Sequence, residues 1–241
     1  MNAPTILDRL LLGMAVASLA VGTAKAQSIT VMPVSIQMAP GQMATTLTVI
    51  DHGDATSFQV RAFAWNQQGG SDHLASTDEL LASPPLGTIA GDGTQVVRLV
   101  LRQPPQGQEA SYRILLDQIP PPAAPGTVRI ALRLSIPIFA EPASRVAAHL
   151  QWRIESGSGQ AYLVAINTGT RHETVRDIVL HTVGGNGLKV EANFPPYVLA
   201  GATRRWRILA RGLPPPGTML RLTASADAGS INQSVLVGGA S

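Results

Sequence analysis

The sequence predicts an all-β protein made of two immunoglobulin-like β-sandwiches. Three observations carry that reading. Short runs with a period of two recur along the chain, and this is the spacing at which a strand sends successive side chains to opposite faces. Gly, Pro, Asn and Asp separate these runs, and no stretch shows a convincing amphipathic helical period. Once a 26-residue leader is set aside, 215 of the 241 residues remain, room for two domains of about 100 residues with roughly seven strands each. The two halves show no internal repeat in their letters.

The first residues set the compartment. Asp8 and Arg9 precede the apolar run Leu10 to Val21, and Ala24-Lys25-Ala26 has the small-x-small form of a cleavage site. Residues 1–26 therefore read as a secretory signal peptide, cut after Ala26 to leave Gln27 as the mature N-terminus. The apolar run is shorter than the roughly 20 residues of a transmembrane helix, and none like it recurs. The expectation is an exported protein with no membrane insertion. Arg9, Lys25 and Asp8 leave with the leader, which takes 18 basic and 15 acidic groups to 16 and 14. So small an excess argues against nucleic-acid binding. Lys189 is then the one lysine beside many arginines, whose planar fork suits carboxylates, although the bias is equally explained by composition. The chain has no cysteine, so its cores must hold it without disulfides.

The predicted strands follow in order. Ile29 to Met38 ends at the turn pair Pro40-Gly41, and Ala44 to Ile50 stops at Asp51-His52-Gly53-Asp54. Ser57 to Trp65 alternates Phe58, Val60, Ala62 and Ala64 against Gln59, Arg61, Phe63 and Trp65, and Gln67-Gln68-Gly69-Gly70 closes it. Leu74 to Ile89 is irregular, with Ser83-Pro84-Pro85 in its middle, and reads as a connection with at most one short strand. Gln95 to Arg102 ends at Pro104-Pro105, and Ala110 to Ile119 is stopped by Pro120-Pro121-Pro122.

Gly126 to Pro142 is the longest run. Val128, Ile130, Leu132, Leu134, Ile136 and Ile138 occupy every second place, against Arg129, Ala131, Arg133 and Ser135. The run is about twice the common strand length. Pro137 cannot donate a ladder hydrogen bond, which points to an edge position or a bulge. A long apolar edge is an aggregation hazard unless it is covered or used.

Glu141-Pro142-Ala143-Ser144 marks the expected boundary between an N-terminal domain, residues 27–142, and a C-terminal domain, residues 143–241. Beyond it lie seven more strand-like runs: 147–155, 160–167, 173–183, 188–192, 203–210, 219–226 and 231–237. Ser156-Gly157-Ser158-Gly159 and Gly185-Asn186-Gly187 are hairpin signals, the second with the Asn-Gly pair favoured in type I′ turns.

Signs of catalysis are missing. There is no Gly-x-Ser-x-Gly elbow and no phosphate-cradling loop. Asp78-Glu79 reads as a solvated pair, and the five histidines lack metal-ligand spacing. The expectation is a non-enzymatic chain without a cofactor. Two other readings stay open. Met32, Met38 and Met43 with His52 form a soft donor set that suits Cu(I) in a periplasmic copper-binding sandwich, although core filling is the ordinary use of such methionines. The chain could also be a structural surface-adhesion module whose long strand is covered by its own residues. Trp65, Trp152 and Trp206 fall one per run and suit core packing.

Taken in order, several segments resemble the periplasmic pilus-assembly chaperones of the chaperone–usher pathway. These are Ile29-Thr-Val-Met-Pro-Val-Ser-Ile36 with Ala39-Pro-Gly41, Val60-Arg-Ala-Phe-Ala-Trp65, Ser111-Tyr-Arg-Ile-Leu-Leu-Asp-Gln-Ile-Pro120, Ile130 to Phe139 closed by Pro142, and Pro196-Tyr-Val-Leu-Ala-Gly201 followed by Arg204-Arg205-Trp206. The resemblance spans almost the whole mature chain. It implies two Ig-like domains in a boomerang arrangement, located in the periplasm, that bind pilus subunits and pass them to an outer-membrane usher. It also implies that the last strand of the N-terminal domain lends alternating apolar residues to an incomplete pilin, a known case of strand addition to an open edge. Matching Pro142 to the family's strand-ending proline places the donated row at Val128, Ile130, Leu132 and Leu134.

Conventional members bind the subunit's C-terminal carboxylate with an Arg in the first strand and a Lys near the end of the long one. Those places fall here on Val34 and Pro137. The chain thus resembles the archaic branch, which serves spore-coat-protein-U-like subunits. A carboxylate taken from water still needs a charge-assisted partner, and Arg113 is the expected anchor, with Arg102 and Arg129 behind it.

Overall fold

The computed structural model describes residues 29–120, 122, 126, 130–157, 160–182, 184–191, 195–210 and 215–240. The leader, Val128 and Arg129 lie outside the described residues. Within them every regular element is a strand.

The first ten strands are β1 (Ile29–Met32), β2 (Ile36–Met38), β3 (Ala44–Asp51), β4 (Thr56–Gln68), β5 (Ser71–Ser76), β6 (Leu80–Ser83), β7 (Leu86–Ile89), β8 (Thr94–Leu101), β9 (Ala110–Ile119) and β10 (Arg133–Ala140). They form two facing sheets. One has the order β1-β3-β8-β6, and the other β2-β10-β9-β4-β5 with β7 also on β4. The chain changes sheets at Pro33. Before it β1 runs antiparallel to β3, and after it β2 runs parallel to β10.

Alternation fixes which residues fill the space between the sheets. Leu47 and Val49 of β3, Phe58 and Val60 of β4, Val97 and Leu99 of β8, Ile114 and Leu116 of β9, and Ile136 and Ile138 of β10 are all buried in one cluster. Burying each large apolar side chain contributes about 1.5–3 kcal/mol.

The remaining strands are β11 (Leu150–Gly157), β12 (Gln160–Asn167), β13 (Glu173–His181), β14 (Gly187–Val190), β15 (Tyr197–Val198), β16 (Thr203–Leu209), β17 (Met219–Ala226) and β18 (Gly229–Ala240). Their order is β14-β16-β12-β11-β18-β17-β13-β15, and β14 also pairs with β13. Strand β18 joins two layers, antiparallel to β17 over Gly229–Leu236 and then parallel to β11. Strand β14 closes the opposite side by bonding both β13 and β16. The enclosed core contains Ile154, Leu163, Leu180, Leu222 and Trp206, with Trp152 stacked on Trp206 at 5.7 Å.

Two expectations about elements are corrected. The segment from Leu74 to Ile89 contains β6, β7 and the end of β5 rather than one strand at most. Four-residue strands are too short to display a period, and β5 is exposed along its whole length, so no apolar parity betrayed it. Leu80 and Ile89 nonetheless anchor β6 and β7 in the core. The second correction concerns the long strand, which among the described residues is strand only over Arg133–Ala140. Its ladder with β9 stops at the pair Arg133–Asp117, although β9 itself runs on beside β4 to Ile119.

The core reading gives a direct test. Phe58→Ala should destabilise the fold by about 3–5 kcal/mol in urea unfolding, whereas Leu209→Ala on an exposed site should stay within about 0.5 kcal/mol of wild type.

Candidate functional site

The geometry of β10 sets the site. Its register with β9 is unbroken from Arg133↔Asp117 to Ala140↔Ala110. On its other side β2 pairs only with Ile138, Phe139 and Ala140. Two hydrogen bonds give the direction of the main-chain groups. Gln118 N–H donates to Leu132 O at 2.9 Å, and Glu141 N–H donates to Met38 O at 3.0 Å. Along an antiparallel strand these directions alternate. Leu132, Leu134 and Ile136 therefore face β9, while Arg133, Ser135 and Pro137 face outward with no strand beside them among the described residues. Pro137 thus sits where its missing N–H removes nothing from the β9 ladder, an edge position without a bulge.

The apolar row of this strand runs off the end of the core. Ile138 is fully buried, Leu134 and Leu132 are half-buried, and Ile130 is 81% exposed. One face of one strand therefore serves the protein's own core at one end and opens to solvent at the other.

The opposite parity faces away from the core. Asp117 of β9 accepts from Arg61 of β4 at 2.7 Å and pairs with Arg133 of β10. The Arg133 hydrogen bond, with Arg61 adding to it against burial, holds the Asp117 carboxyl below the usual carboxylate range. This bridge ties the start of β10 to two neighbouring strands.

Further along the same parity lies Arg113, directly opposite Pro137. Its guanidinium carbon stands 3.7 Å from the Trp65 ring centre and 5.9 Å from that of Tyr197. The residue is only 7% exposed, and its side chain makes no hydrogen bond or ion pair with any described residue. Its nitrogens are nonetheless not sealed from solvent. Burial lowers its pKa from the ordinary arginine value, with Asp72 acting against the shift, and an arginine still stays charged. Trp65 and Phe139 come from the first sandwich and pack with Tyr197, Leu199 and Ala202 from the second. Asp72 Oδ1 locks this junction by accepting from Trp65 Nε1 at 3.1 Å, Gln67 Nε2 at 2.9 Å and Arg204 at 2.9 Å. A second tie joins Glu109 to the backbone N–H and Nδ1 of His172 at 3.1 and 2.7 Å, and the His172 ring stacks on Phe139 at 3.6 Å.

Comparison with known proteins gives these features a setting. Residues 28–145 match the family described as pili and flagellar-assembly chaperone, PapD N-terminal domain. Residues 28–145 thus belong to the pilus-assembly chaperone family by their N-terminal domain. Its fold is similar to a chain of the CsuC–CsuE chaperone–tip adhesion subunit pre-assembly complex from the archaic chaperone–usher Csu pili of Acinetobacter baumannii, at 22% identity and TM-score 0.64 over 88% of this chain and 98% of that one. It is also similar to the YadV chaperone, at 15% identity and TM-score 0.62 over 87% and 99%. A third similar structure is the Salmonella enterica SafA pilin in complex with the SafB chaperone, at 16% and 0.58 over 89% and 98%. No curated protein matches the sequence significantly.

Within this chaperone fold, Ile130, Leu132 and Leu134 share one face beside the open edge, and Arg113 lies on the other face of the same sheet. Arg102 lies past the end of β8 in the other sheet, exposed and paired with Asp78 at 3.4 Å. Val34 is exposed. Sequence reasoning missed the junction. Trp65, expected in core packing, is buried in the junction as the platform for Arg113. The signal existed, since Trp65 falls on the same parity as Gln59 and Arg61. His172 lacks metal spacing, and its partner Glu109 is 63 residues away.

The Asp117 bridge predicts an acid response. A lowered folded pKa means that the contribution is complete above the unfolded value of about 3.9 and is lost as pH falls through the folded value. The urea midpoint of wild type should therefore fall more steeply than that of Asp117→Asn between about pH 5 and pH 2. Parallel curves would show that the bridge contributes nothing.

Proposed function

We propose that this protein is a periplasmic chaperone that completes pilus subunits by strand donation and delivers them to an outer-membrane usher. The observation that carries the reading is the outward edge of Arg133–Pro137, unpaired among the described residues beside an apolar row that continues past the core to Ile130. A subunit lacking a strand would hydrogen-bond to that edge. Val128, Ile130, Leu132 and Leu134 would fill its groove, main-chain bonds supplying affinity and side chains specificity. The work needs no cofactor and no catalysis. Export by the leader over residues 1–26 would place the chain with its clients.

The subunit's C-terminal carboxylate would be held by Arg113. Conventional relatives place a Lys where this chain has Pro137, and Arg113 is its cross-strand neighbour, about 5 Å away between Cβ atoms. The cation has thus moved one strand over. Lying on Trp65 without a carboxylate partner, it keeps its N–H groups for an incoming anion. Arg129 and the Asp78-paired Arg102 stand behind it as alternatives. The shift supports an archaic-type chaperone with spore-coat-protein-U-like clients. Nothing favours the copper reading, because Met38 is fully buried in the core while Met32 is half-exposed. The open edge also argues against an adhesion module with a self-covered strand, since no described strand pairs with Arg133–Pro137 on that side.

Co-expression with a candidate subunit tests both parts. Ile130→Asp should weaken capture at least about tenfold, the scale of one large apolar side chain, and Ser76→Asp on the distant β5 should leave it intact. Full capture by Ile130→Asp would sink strand donation. Arg113→Ala should weaken capture by roughly tenfold to a hundredfold, the range of a charged hydrogen bond. A silent Arg113→Ala moves the anchor elsewhere without touching the first claim.

A further inference from the structure

We propose that Gln118 is a positioning residue whose side chain holds the exposed end of the donated row in line before a client arrives, a role that rests on the strand-donation reading. Gln118 stands on the inward parity of β9, in series with Tyr112, Ile114 and Leu116, and is only 7% exposed. An apolar side chain is the ordinary occupant of such a place. A buried amide needs hydrogen-bond partners, so its presence there calls for an explanation.

Its partner supplies one. Continuing the register Arg133↔Asp117 by one step sets Leu132 opposite Gln118. Leu132 turns its main-chain groups toward β9, and at such a place two facing residues of an antiparallel ladder exchange two main-chain bonds. Here one half of the exchange is main chain, Gln118 N–H donating to Leu132 O at 2.9 Å. The returning bond runs from Leu132 N–H to the side-chain Oε1 of Gln118 at 3.3 Å. The side chain thus extends the grip of β9 by one residue past the last ladder pair. On the opposite face of the sheet, Asp117 holds Arg133 and Arg61 at the same point. Leu132 is where the apolar row leaves the core, half-buried itself, with the exposed Ile130 two places before it. Without the clasp this end of the row would have to be ordered as a client binds, and ordering at that moment costs affinity. The clasp also works from the β9 side, so it leaves the outward main-chain edge untouched.

Amide hydrogen exchange of the free wild-type protein tests the clasp first. Relative to their rates in the unfolded chain, Leu132 N–H should exchange at least about tenfold more slowly than the outward N–H of Arg133. Equal protection overturns the proposal. Gln118→Leu removes the acceptor at similar volume and should abolish that difference, while Ile136 N–H inside the ladder keeps its protection. Loss of protection at both sites marks a merely structural residue and overturns the proposal. Capture is then measured with a pilus subunit that wild type retains on co-expression and Ile130→Asp releases. Gln118→Leu should weaken that capture roughly three- to tenfold, with the Tm of the free protein within about 3 °C of wild type. Gln118→Met, equally without the oxygen, takes its place if Gln118→Leu does not fold. Capture equal to that of wild type overturns the positioning role and leaves strand donation standing. Full capture by Ile130→Asp overturns strand donation, and the role of Gln118 with it.

Discussion

The apolar row of β10 outruns the ladder that holds it, and much of the structure follows from that mismatch. The ladder with β9 ends at the pair Arg133–Asp117, while the apolar parity continues back through Leu132 to Ile130. Beyond Leu132, whose carbonyl still accepts from Gln118 N–H, Ile130 is exposed and has no strand partner among the described residues. Arg133 and Arg61 converge on Asp117 and hold the last paired turn of the ladder in place. Such an edge would normally invite aggregation. Here it carries only a proline and a flanking arginine as protection, less than an edge with no task would be expected to have. The second sandwich differs, because β14 and β18 each bond strands of both layers and stitch its sides.

The junction between the sandwiches obeys a second constraint, the allocation of carboxylates. Asp72 takes its three donors on one oxygen, one of them Arg204 from the second sandwich. Gln67 adds bonds to Tyr197 O and from Leu199 N at 2.9 and 3.0 Å. Glu109 is taken by His172. With those acids engaged, Arg113 is left with aromatic faces, which stabilise a cation without using its N–H groups. The contacts that fix one sandwich against the other are thus the same contacts that leave an arginine available.

The sequence made some of this legible and hid the rest for physical reasons. The even parity from Ile130 to Ile138 marked the core face of β10, and Pro137 marked an edge, because both are local consequences of strand geometry. The three short strands that follow the Gly69-Gly70 turn left no such trace, since a four-residue strand or a wholly exposed one has no period to read. The end of the strand at Arg133 is where its pairing with β9 stops, which no local pattern in the row from Ile130 to Ile138 marks. The Glu109–His172 and Asp72–Arg204 pairs join residues 63 and 132 positions apart, and nothing local announces such contacts. Trp65 lay between these cases, its parity visible and its neighbour across the junction not.

An anchor at Arg113, as proposed, has a consequence for how a client would be read. A basic residue on the donating strand would couple the anchor to the edge, since one main chain carries both. With Arg113 on β9, the edge and the cation belong to adjacent strands held in register by eight paired residues from Arg133 to Ala140. Any slip of that register would move the edge relative to the anchor by a full residue and turn the apolar row to the wrong face. Burial of Ile136 and Ile138 opposes such a slip, because their parity is committed to the core. The residues that do not touch the client therefore set the spacing at which it can be held.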